Sequence, residues 1–164
     1  MIQLFMKQKV FSWNDRFTVR DASERDVYTV EGEVFTIGKK LHIYDMGGRE
    51  VAFIHQKVFS LLPQYFVEMD GYSFRVAKDF TFLRQRYYVE ELGWTVEGNF
   101  TSHEYEIHDA SGKLVMSMCK EWFTWGDSYV FYIQNSEDVL PCVTIALVID
   151  CVMAAGAAAA SSGK

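Results

Sequence analysis

Cysteine and proline are scarce in this chain: 164 residues hold three of the first and two of the second. Cys142 and Cys151 stand nine residues apart, on opposite sides of any helix that carries them, and Cys119 has no cysteine near it in sequence. That spacing excludes a disulfide framework or a thiolate metal site, so the thiols read as a reduced, cytoplasmic set. Positive charge is also short, with 16 Lys and Arg against 22 Asp and Glu and a net charge of -6. Nucleic acid is therefore not expected as the main partner, because affinity for its backbone needs concentrated Lys and Arg. A secretory leader is not expected either, since Lys7 and Lys9 break the first apolar stretch. Without one, the sequon Asn99-Phe100-Thr101 reads as accidental.

Catalytic motifs are missing as well. The chain has no Gly-rich phosphate loop, no nucleophile elbow and no HExxH pair. His42, His55, His103 and His108 show no ligand spacing, and His103 and His108 are expected on opposite faces of one strand. Glu90 and Glu91 read as solvated rather than as an acid and base pair. No metal and no cofactor is expected.

What is abundant is apolar and aromatic side chain, 49% and 16% of the residues, which excludes a disordered or low-complexity chain. A chain of this length buries roughly 70% of its unfolded surface, so residues 1–164 are expected to form a single domain with its own core.

The longest apolar run lies near the end. From Val139 to Ala160 the only charge is Asp150. Such a helix belongs in lipid or inside a protein. An Asp near a bilayer centre costs about 2.5 to 3.5 kcal/mol, and no Lys or Arg cluster flanks the run, so a protein interior is the preferred setting. Ser136, Glu137 and Asp138 supply a cap and negative charge, and Pro141 suits a first turn; together they predict a helix over about 138–157.

Self-similarity shows what would surround it. Gln8-Lys9-Val10-Phe11-Ser12 recurs letter for letter as Gln56-Lys57-Val58-Phe59-Ser60, and aligned Phe-Ser/Thr segments begin at Phe11, Phe59, Phe80 and Phe123. Each reads as a hairpin. Thr29-Val30-Glu31-Gly32 returns as Thr95-Val96-Glu97-Gly98, and the Asp-to-Gly turn at Asp45 returns at Asp109. Twelve or thirteen strands are predicted, among them Arg49–Phe59 and Glu104–His108, with Leu41 and Ile43 on a dry face and Lys40, His42 and Tyr44 on a wet one. So many strands curl and close, and a barrel that wide cannot fill itself with side chains. The apolar helix is the expected plug, giving a mainly β fold: a closed antiparallel barrel of about twelve strands enclosing a C-terminal hydrophobic α-helix.

The segments MKQKVFS, VYTVEGEVFTIGKKLHIYD, VAFIHQKVFSLLPQYFV and KEWFTWGDSYVF, with the closing apolar helix, resemble the LURP-one-related proteins, which group with tubby C-terminal domains and phospholipid scramblases. The resemblance implies a twelve-stranded barrel around a central helix. It carries no ligand-binding or calcium-binding motif onto residues of this chain.

The best binding constellation is Lys78, Arg84 and Arg86, read as two arginines on one face with a lysine on the partner strand, able to hold an anionic headgroup. Trp13, Trp94, Trp122 and Trp125, with Phe11, Phe59, Phe80 and Phe123, are expected to pack the hairpins; Trp13, Phe82 and Trp125 would meet a membrane interface if their turns expose them. The resulting expectation is a soluble, cytoplasmic, non-catalytic binding or scaffold domain. Its candidate partners are anionic phospholipid or a protein, with no integral membrane span. The alternatives are a scramblase-like protein with its helix in lipid and an unrecognised enzyme.

Overall fold

Alternation is the rule that builds the wall. Leu41 and Ile43 are buried while His42 and Tyr44 between and beyond them face outward, and Tyr65, Val67, Phe74 and Val76 repeat the period on the next hairpin. The structure is a computed structural model that describes residues 1–7, 16–79, 86–123 and 126–162. Among them are twelve strands: β1 (Ile2–Lys7), β2 (Phe17–Asp21), β3 (Asp26–Gly32), β4 (Lys40–Asp45), β5 (Glu50–Gln56), β6 (Gln64–Met69), β7 (Tyr72–Lys78), β8 (Arg86–Val89), β9 (Trp94–Asn99), β10 (Glu104–His108), β11 (Leu114–Phe123) and β12 (Gly126–Ile133). Each pairs antiparallel with its neighbours in sequence, and β1 pairs with β12, from Ile2 opposite Ile133 to Lys7 opposite Ser128. The sheet is closed, as the strand count predicts.

The interior is filled by the end of the chain. A 3-10 turn at Ser136–Asp138 leads into α1 (Val139–Ser162). Pro141 to Ile149, with Cys151 and Val152, are buried, whereas residues 154–162 are exposed. The helix runs past the expected end at residue 157, because Ala has the highest helical propensity of any residue and nothing in AAAASS stops it. Inside, Thr144 is the one fully buried hydroxyl of the helix, and it donates to the Pro141 carbonyl at 2.8 Å. Every other inward residue of that half is hydrocarbon or thiol.

Strand direction gives the barrel two unlike rims. Odd-numbered strands run toward the rim where α1 emerges; α1 enters at the other. The entry rim is closed by short turns in which one Asp carboxylate does the same job three times. Asp21, Asp45 and Asp109 each accept backbone N–H groups two and four residues on, at 2.8 to 3.1 Å. Each turn adjoins a bulge, between Val19 and Arg20, Ile43 and Tyr44, and Ile107 and His108. The N–H of Arg49 on Asp45, and the Ser111 hydroxyl on Asp109, hold those carboxyls below their ordinary range.

The sequence expectation fails at two strand ends. β5 stops at Gln56, not Phe59: the chain leaves the pleat at Lys57 and turns at Val58 and Phe59, where Phe59 adopts φ 62. His103 is not on a strand: it precedes β10 with φ 56, so only His108 lies on β10.

The two halves of α1 are expected to respond differently to substitution. Ile145→Ala removes fully buried hydrocarbon and should destabilise the protein by about 2 to 5 kcal/mol, whereas Ala157→Ser on the exposed half should stay within about 0.5 kcal/mol. Urea unfolding of the two variants checks this, and equal costs would contradict the buried-plug arrangement.

Candidate functional site

Two described connections of the rim where α1 emerges, 33–39 and 57–63, are longer than the entry-rim turns, and they expose hydrocarbon. Ten large apolar side chains are exposed among the described residues, and six of them sit on two connections of this rim: Val34, Phe35 and Ile37 between β3 and β4, and Val58, Phe59 and Leu61 between β5 and β6. Phe35, Phe59 and Leu61 are fully exposed, and Ile37 is 82% exposed. Burying any one of these side chains would be worth about 1.5 to 3 kcal/mol, so the fold leaves that gain unused at this rim.

Backbone geometry adds to the cost. Phe35 and Phe59 have φ 60 and φ 62, a left-handed conformation that costs an L-residue roughly 1 to 2 kcal/mol. Both occupy the same local sequence, Val-Phe-Thr at 34–36 and Val-Phe-Ser at 58–60. Both lie in the connections, outside the strands, with the ring in solvent.

The two connections are braced against each other. The Gln56 N–H donates to the Lys39 carbonyl at 2.8 Å, the Lys39 N–H donates to Gln56 Oε1 at 3.0 Å, and Thr36 Oγ1 donates to the Gly38 carbonyl at 3.0 Å. Gly38 is obligatory here, since its φ is 80 and a Cβ would sit 2.8 Å from Val58 Cγ1. Between the connections lies an open cleft of about 410 Å³ lined by Ile37, Val58, Phe59, Leu62 and Pro63, with Lys57 beside them.

Charge is sorted between the rims. Lys39, Lys40, Lys57, Lys78 and Arg86 lie at or beside the exit rim with Glu31, Glu33, Asp79 and Glu104 among them, while the turns of the entry rim carry Asp21, Asp45, Asp70, Glu90, Glu91 and Asp109 with Arg25, Arg49 and Lys113. Lys57 and Lys78 have no acidic partner among the described residues. The negative net charge of the chain is therefore concentrated away from the apolar loops.

The basic cluster read from sequence is not assembled as expected. Lys78 lies opposite Tyr87, a buried inward residue, so it has the inner parity at the mouth of the barrel. Arg86 has the outer parity and is ion-paired with Glu97 across β8 and β9. The two do not converge on one face, because neighbouring residues of a strand alternate and Lys78 pairs with Tyr87, not with Arg86. Arg84 lies outside the described residues, as do Trp13, Phe82, Trp125, Phe11 and Phe80. Arg75, on the outer wall, is held by Glu90 through Nε at 3.0 Å and by Gln64 at 3.2 Å.

Phe59, expected to pack, is instead a fully exposed tip, and Phe35, which lies outside the four aligned hairpin segments, is a second. The signal for Phe35 was present in Val34-Phe35-Thr36, which copies the pattern at Val58-Phe59-Ser60, but it falls where no hairpin repeat was aligned.

Just beneath the rim a polar cluster surrounds the helix. The Tyr129 hydroxyl donates to Asp150 Oδ1 at 3.4 Å and lies 3.5 Å from His103 Nε2. Burial pushes the Asp150 carboxyl up to about 6, opposed by Tyr129 and by the charge of Lys39. Burial, aided by Lys120, lowers His103. Tyr65, Tyr87 and Tyr105 are buried nearby, all raised by burial, Tyr87 to about 12, so these hydroxyls stay protonated. Cys151 is likewise pushed by burial up to about 12, which leaves it a neutral thiol rather than a nucleophile. Among the described residues no group of three or more His, Cys, Asp and Glu is placed to hold a metal ion.

The outer wall fastens the first of the two loops. His42 Nε2 contacts Glu33 at 2.8 Å and Nδ1 contacts Glu50 at 2.6 Å, and Lys40 bonds the second oxygen of Glu33 at 3.2 Å. The His42 ring lies tilted against Phe53, with ring centroids 4.7 Å apart. Burial opposes the charge on His42, but the bonds to Glu33 and Glu50 outweigh it and raise the pKa. A raised pKa in the folded state means the stabilisation is complete below the unfolded value, near 6.5, and is lost as pH rises through the folded value. The stability gap between the native chain and His42→Gln, taken from urea curves, should therefore be larger at acidic pH than at alkaline pH. A gap that grows with pH would contradict the paired imidazolium.

Comparison with known proteins agrees with this architecture. A family profile described as LURP-one-related matches residues 2–150. The chain is 39% identical over 154 residues to the uncharacterized protein YxjI of Bacillus subtilis (strain 168), covering 93% of this chain and 94% of that one. Its fold is similar to the X-ray structure of a protein from Arabidopsis thaliana, with a TM-score of 0.63 over 92% of this chain and 90% of that chain at 14% identity, a likeness of fold alone. A closed twelve-stranded barrel plugged by its own last helix, matched by the family profile from the first strand into the helix, places the chain in the LURP-one-related family.

Proposed function

We propose that this chain is a non-catalytic module that docks on an anionic phospholipid surface through its exit rim. The observation that carries the reading is the pair of strained, fully exposed phenylalanines, Phe35 and Phe59, on neighbouring loops of one rim. A soluble surface gains nothing from a ring held outward in a left-handed backbone, whereas an aromatic tip at a bilayer interface is favourable. Lys39, Lys57 and Lys78 beside those tips supply attraction to anionic headgroups, worth about 1 kcal/mol for each cation near the surface. The acidic turns at the opposite rim would be held away from the same surface. The protonated tyrosines and raised thiols under the rim support a binding role over a catalytic one, and the free cysteines suit a reducing, cytoplasmic setting.

Vesicle flotation tests the reading. The native chain should float with vesicles rich in phosphatidylserine and not with pure phosphatidylcholine, and binding should weaken as salt is raised. Phe35→Ser/Phe59→Ser should reduce affinity at least about tenfold, since each ring carries on the order of 1 kcal/mol or more of apolar transfer. Lys57→Glu/Lys78→Glu should lower affinity and flatten the salt dependence. Absence of vesicle binding, or binding indifferent to both double variants, would overturn the proposal, and capture of the rim by a protein partner would replace it.

A further inference from the structure

Among the described residues His42 is the one histidine with a carboxylate on each ring nitrogen, Glu33 at 2.8 Å from Nε2 and Glu50 at 2.6 Å from Nδ1. His55 meets Glu68 through Nε2 alone at 3.0 Å, and His108 meets Glu106 through Nε2 at 3.4 Å. An imidazolium donates from both nitrogens, whereas a neutral imidazole has one N–H and one lone pair. The neutral ring of His42 therefore cannot keep both carboxylates at these distances, because its bare nitrogen would face an anion. His55 and His108 keep their single contact in either state by choice of tautomer.

The two carboxylates on His42 belong to different parts of the fold. Glu50 opens β5 on the wall, whereas Glu33 is the first residue of connection 33–39, two residues before the exposed ring of Phe35. That connection is closed at its base by the Glu33 N–H on the Lys40 carbonyl at 3.1 Å, and the Glu33 carboxylate is shared between His42 and Lys40 Nζ. Phe35, at φ 60, holds a conformation that its neighbours must enforce. With the ring charged, Glu33 has its own donor; with the ring neutral, Glu33 and Glu50 compete for one.

We propose that His42 is a proton-operated latch on the Phe35 loop: the imidazolium ties Glu33 to the wall and fixes the loop for docking on an anionic phospholipid surface, and loss of the proton loosens the loop and weakens docking. The inference rests on the reading of this rim as a docking surface and adds its control. The groups around the ring agree in sign. Glu31 lies opposite His42 on β3 and is held by Arg16 at 3.1 Å, and Tyr44 stacks on the ring at 6.3 Å. Phe53 covers its other neighbour side, with His55 beyond it. Burial opposes the charged ring, but the bonds to Glu33 and Glu50 outweigh it, so the proton leaves above 6.5, within reach of neutrality. An anionic surface concentrates cations, protons included, so approach to it favours the latched state.

The test measures the affinity of the full chain for phosphatidylserine-rich vesicles at constant salt from about pH 6 to about pH 9, the interval in which a raised histidine loses its charge. The native chain should lose at least about fivefold in affinity toward alkaline pH, the low end of ordinary coupling between two sites. In Glu50→Gln the single N–H of the neutral ring has no rival for Glu33, so most of that fall should vanish, whereas His55→Gln should follow the native profile. His42→Gln should be flat at the level of the native alkaline limb. The slope is diagnostic, since removal of a carboxylate shifts the level at every pH; Asp150, which titrates at about 6, is common to all the variants. In the lipid-free chain at alkaline pH, amides of residues 34–38 should exchange faster in the native protein than in Glu50→Gln. Vesicle binding with a flat native profile, a fall that Glu50→Gln retains in full, or equal loop exchange in the two proteins would overturn the latch and leave the rim reading standing. No vesicle binding at any pH would remove both.

Discussion

An apolar helix held inside a closed sheet is the contact on which the rest of this protein depends. Twelve strands enclose a space that inward side chains such as Val30, Ile54 and Val67 line but do not fill, and Val143 to Ile149 complete it. The dependence is mutual. Without the wall the helix would expose a continuous hydrocarbon surface, and without the helix the wall would surround a void or water. Closure through β1 and β12 leaves no free edge among the described strands on which another chain could pair.

That arrangement leaves the barrel with two ends of different chemistry. At the entry end, carboxylates tie tight turns to themselves through backbone N–H groups, and acidic residues accumulate there. At the exit end, exposed aromatic rings, lysines and the emerging helix share one surface; left-handed residues occur at both ends, Phe35 and Phe59 here and Glu24 and Glu91 at the other. Strained residues persist only where neighbouring structure enforces them, and the cross-bracing of Gln56 with Lys39, together with the packing of Gly38 against Val58, supplies that enforcement.

Much of the fold was legible in the sequence because it is written in periods. Alternation at Leu41 and Ile43 identifies an inward face, the Asp-to-Gly turns at Asp45 and Asp109 mark strand ends, and a run that is apolar all round demands enclosure. The candidate site was less legible. Its signals are breaks in the period: Phe59 reads as one more strand residue unless its backbone is known to turn left-handed, and Phe35 looks like the start of a loop. The cluster of Lys78 and Arg86 fails for a related reason. Parity along a single strand is readable, but which residue of β7 faces which residue of β8 depends on register, and register placed Lys78 against Tyr87. The end of the helix is not legible because alanine and serine stretches carry no stop signal, so composition alone does not say where such a helix ends.

Amide hydrogen exchange resolved along α1 tests the central claim most directly. If the wall encloses the first half of the helix, amides from Val143 to Val152 should exchange as slowly as those of the core strands, in one cooperative unit with them, while residues 154–162 exchange orders of magnitude faster. Uniformly fast exchange along the whole helix, or slow exchange confined to the strands, would contradict it.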